Sequence, residues 1–254
     1  MVTVGDLYNY INEIAPFKSA MDFDNVGLLI GDKNKVISKI MLSLDATPSV
    51  VNEAYQKNVD LIITHHPVIF KAIKTVLQNS IPYMLIEKGI SVISAHTNLD
   101  MANGGVNDCL ADVIGLKNKT PLEFYNELPC ALIGDLNQPL SPLEFAKIVK
   151  NRLNCDGLRY VSGNRQVSKV ALCSGAGGDF IFKAIQSGAD AFLTGEIKHH
   201  EILAANDAGI TLVDAGHFKT ENIVIDSLAK KLKTKFQEIQ ILISEEMTDG
   251  IKFI

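Results

Sequence analysis

Six histidines carry most of the chemistry this sequence can offer. All of them, His65, His66, His96, His199, His200 and His217, lie at or just beyond the C-terminal ends of apolar segments that read as strands. In an open parallel α/β sheet, ligands bind in the crevice outside the strand carboxyl ends. Two of the six open the same pattern, His-x-x-x-acid shortly after an alanine: His96 with Asp100 after Ala95, and His217 with Glu221 after Ala215. Imidazole and carboxylate together suit Zn, Fe, Mn or Co, and ligands from several strand ends could converge on one ion or two. The adjacent pair His65-His66 follows the second apolar strand of the first half and is stopped by Pro67. Taken alone, His-His-Pro reads equally well as a surface strand cap; the paired acids elsewhere favour ligation. His199 and His200 fall on a helix start, where exposure to solvent is at least as good a reading as a site.

The turn Ser174-Gly175-Ala176-Gly177-Gly178 follows a strand and precedes a helix, as a phosphate-binding loop would. Phe180 stands where a dinucleotide fingerprint needs its third glycine, so a tight structural turn is favoured over phosphate binding.

The elements that must position these residues are written twice. Residues 27–66 placed against 157–196 at a constant shift of 130 align without a gap, and eleven pairs are identical, among them Gly27/Gly157, Ser38/Ser168, Lys39/Lys169, Asp60/Asp190 and Thr64/Thr194. Each copy reads as strand, amphipathic helix (Ser49 to Lys57; Phe180 to Ser187) and strand, which makes a right-handed βαβ unit with a parallel sheet. A third strand follows in each, Gly89 to Ala95 and Gly209 to Ala215. Ser141-Pro142-Leu143-Glu144 is a capping box with proline at the first helical position, opening a helix that parallels the one after Thr3. The reading is an α/β protein of two related domains produced by internal duplication. The boundary is placed at the Pro-containing stretch 117–128: a first domain over residues 1–120 and a second over 121–254, with lobes that can interlock.

Composition narrows the function classes. The 254 residues carry 24 Lys+Arg against 29 Asp+Glu, a net charge of −5, so the basic excess that nucleic-acid binding exploits is missing. With 47% hydrophobic residues the chain can bury a core and is neither disordered nor collagen-like. No apolar run reaches the roughly 18 residues of a membrane span. Cys109, Cys130, Cys155 and Cys173 are widely separated and read as reduced thiols of a cytoplasmic protein. The cluster Lys230-Lys231-Leu232-Lys233-Thr234-Lys235 reads as the solvated face of a helix.

With Asp24-Asn25-Val26-Gly27-Leu28, Thr64-His65-His66-Pro67, His96-Thr97-Asn98-Leu99-Asp100, Thr194-Gly195-Glu196 and Asp214 to Glu221 in order, the sequence resembles the GTP cyclohydrolase 1 type 2 homolog family, also called the Nif-three-like family. The resemblance spans nearly the whole chain. It implies two α/β domains facing each other across a dinuclear metal site, commonly assembled as a hexameric ring. It also implies that His65, His66, Asp100, His217 and Glu221 are the metal ligands, with Glu221 bridging and His96 left beside them as a proton shuttle or substrate-side group. Asp24 and Asn25 are expected near the same cleft. Longer relatives insert an extra domain that this chain is too short to contain. Phe218 stands where relatives often carry tyrosine or another polar residue, which removes a hydroxyl but no ligand.

Two divalent ions (Zn, Fe, Mn, Co or Ni) would activate a water for hydrolysis of a nucleotide-like or other small molecule. The family name alone points to a GTP ring; nothing in the sequence reads guanine. The alternative is a metal-binding, storage or delivery protein, or a ring-shaped interaction scaffold, since five ligands can hold two ions without turnover. A metal-free Rossmann-type enzyme would rest on the Gly-rich turn alone.

Overall fold

The computed structural model describes residues 1–254, which fall into two units: Met1–Asn103 with Ile225–Thr248, and Gly104–Val224 with Asp249–Ile254. The chain opens with β1 (Val2–Thr3), α1 (Val4–Ile14), β2 (Gly27–Ile30), β3 (Val36–Ile37), β4 (Lys39–Ser43) and α2 (Pro48–Gln56). It continues through β5 (Leu61–Thr64), α3 (Ile81–Glu87), β6 (Ser91–Ser94), α4 (Thr97–Asp100), α5 (Val106–Ile114), β7 (Lys117–Tyr125), β8 (Leu128–Leu140) and α6 (Pro142–Arg152). Then come β9 (Arg159–Val161), β10 (Val167–Leu172), α7 (Ile181–Gln186), β11 (Ala191–Thr194), α8 (His199–Ala208), β12 (Thr211–Asp214) and α9 (His217–Glu221). Helix α10 (Ile223–Lys235) and strand β13 (Gln240–Ile243) close the series. No helix is long and apolar enough to cross a membrane.

The first unit holds a five-stranded sheet in the order β13-β4-β5-β6-β2, parallel except for β2. The second holds six strands in the order β7-β8-β10-β11-β12-β9, with β10, β11 and β12 parallel and the flanking strands antiparallel. Every residue of β5, β6, β11 and β12 is buried, as strands covered on both faces require. Alternation sorts the second unit's side chains: Val170, Leu172, Leu193 and Val213 pack with Phe145 and Val149. Ala171, Phe192 and Leu212 turn the other way onto Ile181, Ala184 and Ala205.

The internal repeat has a structural counterpart in each unit. At the shift of 130, β5 coincides with β11, and α2 with the segment leading into α7. The identical pairs do identical work: the Asp60 carboxylate accepts the N–H groups of Ser38 and Lys39, and the Asp190 carboxylate those of Ser168 and Lys169. Each aspartate thereby ties the start of its first strand to the start of the second. The expected capping box of Ser141 with Glu144 forms, and Thr3 makes a matching one with Asp6.

The expected linker does not exist. Residues 117–128 form β7 and its turn into β8, made by Asn126 and Glu127 at φ 45° and 69°. Pro121 is tolerated because β7 is an edge strand, and Pro129 because it lies on the part of β8 beyond its pairing with β10. The division into 1–120 and 121–254 is therefore replaced: the second unit begins at Gly104. Residues Ile225–Thr248 return to the first, where β13 pairs with β4 and the Glu53 carboxylate gathers Ser244 and the N–H of Glu245. The repeat spans only forty positions per copy and carries no information about this return.

Candidate metal centre

In the first unit, His65 and His66 leave the end of β5, where the Thr64 hydroxyl donates to the His66 carbonyl and shapes the turn. His65 is buried. Its Nδ1 lies 2.9 Å from the Ala95 carbonyl oxygen, which can only accept, so Nδ1 carries the proton and Nε2 presents a lone pair. That Nε2 faces Asp100 Oδ1 at 3.4 Å. His66 Nδ1 donates to Asp45 Oδ1 at 2.8 Å, just past the end of β4. His96, immediately before α4, donates from Nδ1 to Asp24 Oδ1 at 3.0 Å. The ligating nitrogens of His65, His66 and His96 come within 4.8 Å of one another. Asp100 follows His96 by one helical turn, its N–H bonded to the His96 carbonyl.

Asp24 is the anchor of this half. Its Oδ2 accepts both the Thr97 N–H, at 3.0 Å, and the Thr97 hydroxyl, at 2.6 Å. Burial works to raise its pKa, but the hydrogen bonds from His96 and Thr97 outweigh it and hold the carboxyl at about 2. Asn25, also expected nearby, donates to the Ile69 carbonyl and so ties down the chain after Pro67. Phe70, on that stretch, stands edge-on to His96 with centroids 6.2 Å apart.

In the second unit, α9 brings His217 and Glu221 together across one turn, Nε2 to Oε2 at 3.0 Å. His217 Nδ1 donates to Glu196 Oε1 at 2.7 Å, a residue two positions past β11. Glu221 is buried, and the room for it comes from the Gly-rich turn. Gly175 has φ +57°, and a Cβ there would run into Glu221 Oε1. Its N–H donates to the Thr220 hydroxyl oxygen and its carbonyl accepts from Gly195. The turn is thus a cradle for a carboxylate. A cavity of about 430 Å³ borders His217 and Glu196, walled by Leu158, Arg159, Ile251 and Phe253. Arg159 pairs with Asp214.

Each unit therefore assembles its share of the expected residues: His65, His66, His96 and Asp100 in the first, His217 and Glu221 in the second. All four imidazoles have Nδ1 committed to an oxygen acceptor, which fixes the tautomer and points Nε2 outward, the arrangement seen where histidines bind metals. The orienting roles of Asp45 and Glu196 were not foreseen. Their signal was available, since each stands one or two residues past a strand end, level with a histidine on the adjacent strand. His199 and His200 begin α8 and are exposed, apart from this group.

Comparison with known proteins places the chain. Residues 2–250 match the model of the Duf34/NIF3 (NGG1p interacting factor 3) family. A Clostridium perfringens protein named GTP cyclohydrolase 1 type 2 homolog is 33% identical over 99% of both chains, and a Streptococcus pneumoniae protein of the same name is 35% identical over 94% of this chain and 95% of its own. A Staphylococcus epidermidis relative aligns over 364 positions and so carries residues that this chain of 254 lacks. Among solved structures, a Staphylococcus aureus hypothetical protein superposes with TM-score 0.92 at 30% identity over 100% of this chain and 99% of its own. Reduced HcgD from Methanocaldococcus jannaschii gives 0.83 at 30% identity, covering 96% and 98%. The chain belongs to the Duf34/NIF3 family.

Proposed function

We propose that this protein binds a pair of divalent ions and uses them for hydrolysis of a small, nucleotide-like molecule. The ligands are His65, His66 and Asp100 from one unit and His217 and Glu221 from the other. The supporting observation is that every imidazole in this set, and His96 beside it, is tethered at Nδ1, while His65 and His217 present Nε2 to the carboxylates of Asp100 and Glu221; such a donor set suits Zn, Fe, Mn, Co or Ni. When bound, such ions supply Lewis acidity and a water of lowered pKa. The chain's own contribution is orientation and proton handling. Asp45 and Glu196 hold their imidazoles in register, and Asp24 keeps His96 protonated at Nδ1, so that His96 Nε2 is free to take up and return a proton on the substrate side. Phe70 presents an apolar edge beside it. The nucleotide-like substrate comes from the name carried by the relatives, and a cytoplasmic, ring-shaped homohexamer is part of the same proposal.

Elemental analysis of protein purified without added metal, alongside mass in solution, is the first test, with about two ions per chain expected. Turnover of nucleoside triphosphates, phosphodiesters and folate-like compounds should then be lost in both His65→Ala and Glu221→Gln. Equal rates in wild type and both variants would remove the hydrolase reading. A second reading is a metal store, metal donor or interaction scaffold, the last favoured by the family description as an interacting factor. Ready transfer of the ions to an apo-acceptor, without turnover, would select it.

A further inference from the structure

Helix α8 begins with a second group of metal-type donors that the centre above does not use. Glu201 is fully buried. Its Oε2 accepts the Lys198 N–H at 2.6 Å, which is the ordinary duty of a glutamate at the third position of a helix. That duty leaves Oε1 unexplained. Oε1 is inaccessible to solvent and has no hydrogen-bond partner. The nearest cationic candidates are Lys198 Nζ at 3.7 Å and His200 Nε2 at 3.9 Å, both out of hydrogen-bonding range. Lys198 instead rests on Asp179, at 3.0 and 3.2 Å. A buried carboxylate oxygen without a donor is a costly arrangement unless a cation can come to it.

The surroundings are shaped for that. Asp179, His200 and Glu201 each bring a ligand atom within 4.8 Å of the others. Gly178 is the residue that lets Glu201 in, since a Cβ at that position would collide with Oε2. The His200 ring lies nearly parallel to Phe182, 14° between planes, which limits its swing. Bonds of about 2.0–2.2 Å around one ion set donor atoms roughly 3.4 Å apart. Asp179 and His200 are mostly exposed, so modest rotations of their side chains can close the remaining gap.

We propose that Asp179, His200 and Glu201 form an additional site for a single exchangeable divalent cation of the Zn²⁺ or Mn²⁺ type, into which the ion enters as the Lys198 ammonium swings out. Two carboxylates and one imidazole match that class, with waters on the exposed side. Lys198 acts as a resident competitor, balancing one of the two negative charges until the ion arrives.

Full-length protein equilibrated against Zn²⁺ and freed of excess should hold one ion per chain more than His200→Ala or Asp179→Asn, with the affinity of that ion weakened at least about tenfold in each. Lys198→Ala should tighten the same ion. Because His200 is exposed, its variant should melt like wild type, so lost binding would not reflect unfolding. Unchanged stoichiometry and affinity in His200→Ala and Asp179→Asn, or weaker binding in Lys198→Ala, would overturn the site.

Discussion

The two units answer the same problem with different residues at matching positions. At the shift of 130, Asp45 corresponds to Gly175 and His65-His66 to Gly195-Glu196. In the first unit the residue past β4 is an acid that orients an imidazole past β5. In the second the acid stands past β11 and orients an imidazole past β12, while the position past β10 is emptied to admit Glu221. Strand ends thus provide fixed stations, and the residue types at them can be exchanged. What stays constant is the acceptor at each Nδ1. The first half brings three imidazoles to its group, the second one.

The sharpest way to break this comparison is to fill the emptied station. Gly175→Ala adds a Cβ against Glu221 and forces alanine to φ +57°, which should cost about 2–4 kcal/mol and displace the carboxylate. Asp45→Ala, at the equivalent but half-exposed position, should leave the melting temperature nearly unchanged and weaken ion binding about tenfold. Thermal melts with elemental analysis read both. If the two variants melt alike, Gly175 is not a cradle.

A symmetric pair of substitutions tests how equivalent the units are. Asp60→Ala and Asp190→Ala each strand two backbone N–H groups at a strand start, so each should cost about 1–2 kcal/mol. Denaturant midpoints that differ widely between them would mean that one copy no longer depends on its ancestral tie.

Asp24 has no counterpart in the second half and gives it a distinct acid response. Its carboxyl, near 3.8 in the unfolded chain, is held at about 2 in the fold. A depressed pKa stabilises the ionised form, so its contribution is complete above pH ~4 and is lost as pH falls through about 2. Asp24→Asn should remove roughly 1–2 kcal/mol at neutral pH and flatten stability across that window, measured by melts at stepped pH. A wild-type profile already flat between pH 4 and 2 would contradict the assignment.

How much of this was legible in sequence depended on range. The βαβ order, the Ser141–Glu144 capping box and the His-x-x-x-acid turns are local patterns, and they formed where residues 39–64, 141–144, 96–100 and 217–221 placed them. The hairpin at 117–128 was misread because proline signals a break unless the strand is at an edge, and edges are set by partners elsewhere in the chain. The return of β13 to β4 is a long-range pairing with no local mark, and Asp45 and Glu196, visible as acids just past strand ends, reveal which imidazole each orients only once the strands are paired. The glycines were legible as a turn, but which side chains they make room for was not.

The smallest effect separates the units by chemistry alone. All four cysteines, Cys109, Cys130, Cys155 and Cys173, lie in the second unit and none is in a disulfide, so alkylation reports its opening and is silent about the first. Burial pushes the Cys155 thiol up to about 11, leaving about one molecule in a thousand as thiolate at pH 8. Cys109, less buried, should react first. The Cys155 thiol donates to the Ala215 carbonyl, two residues before His217, so its labelling requires loosening at the base of α9. A divalent ion held by His217 and Glu221 would stabilise that base by mass action, and labelling of Cys155 should slow in proportion to occupancy while Cys109 is indifferent. Equal slowing at both thiols would point to a global effect; none at either would detach the ion from α9.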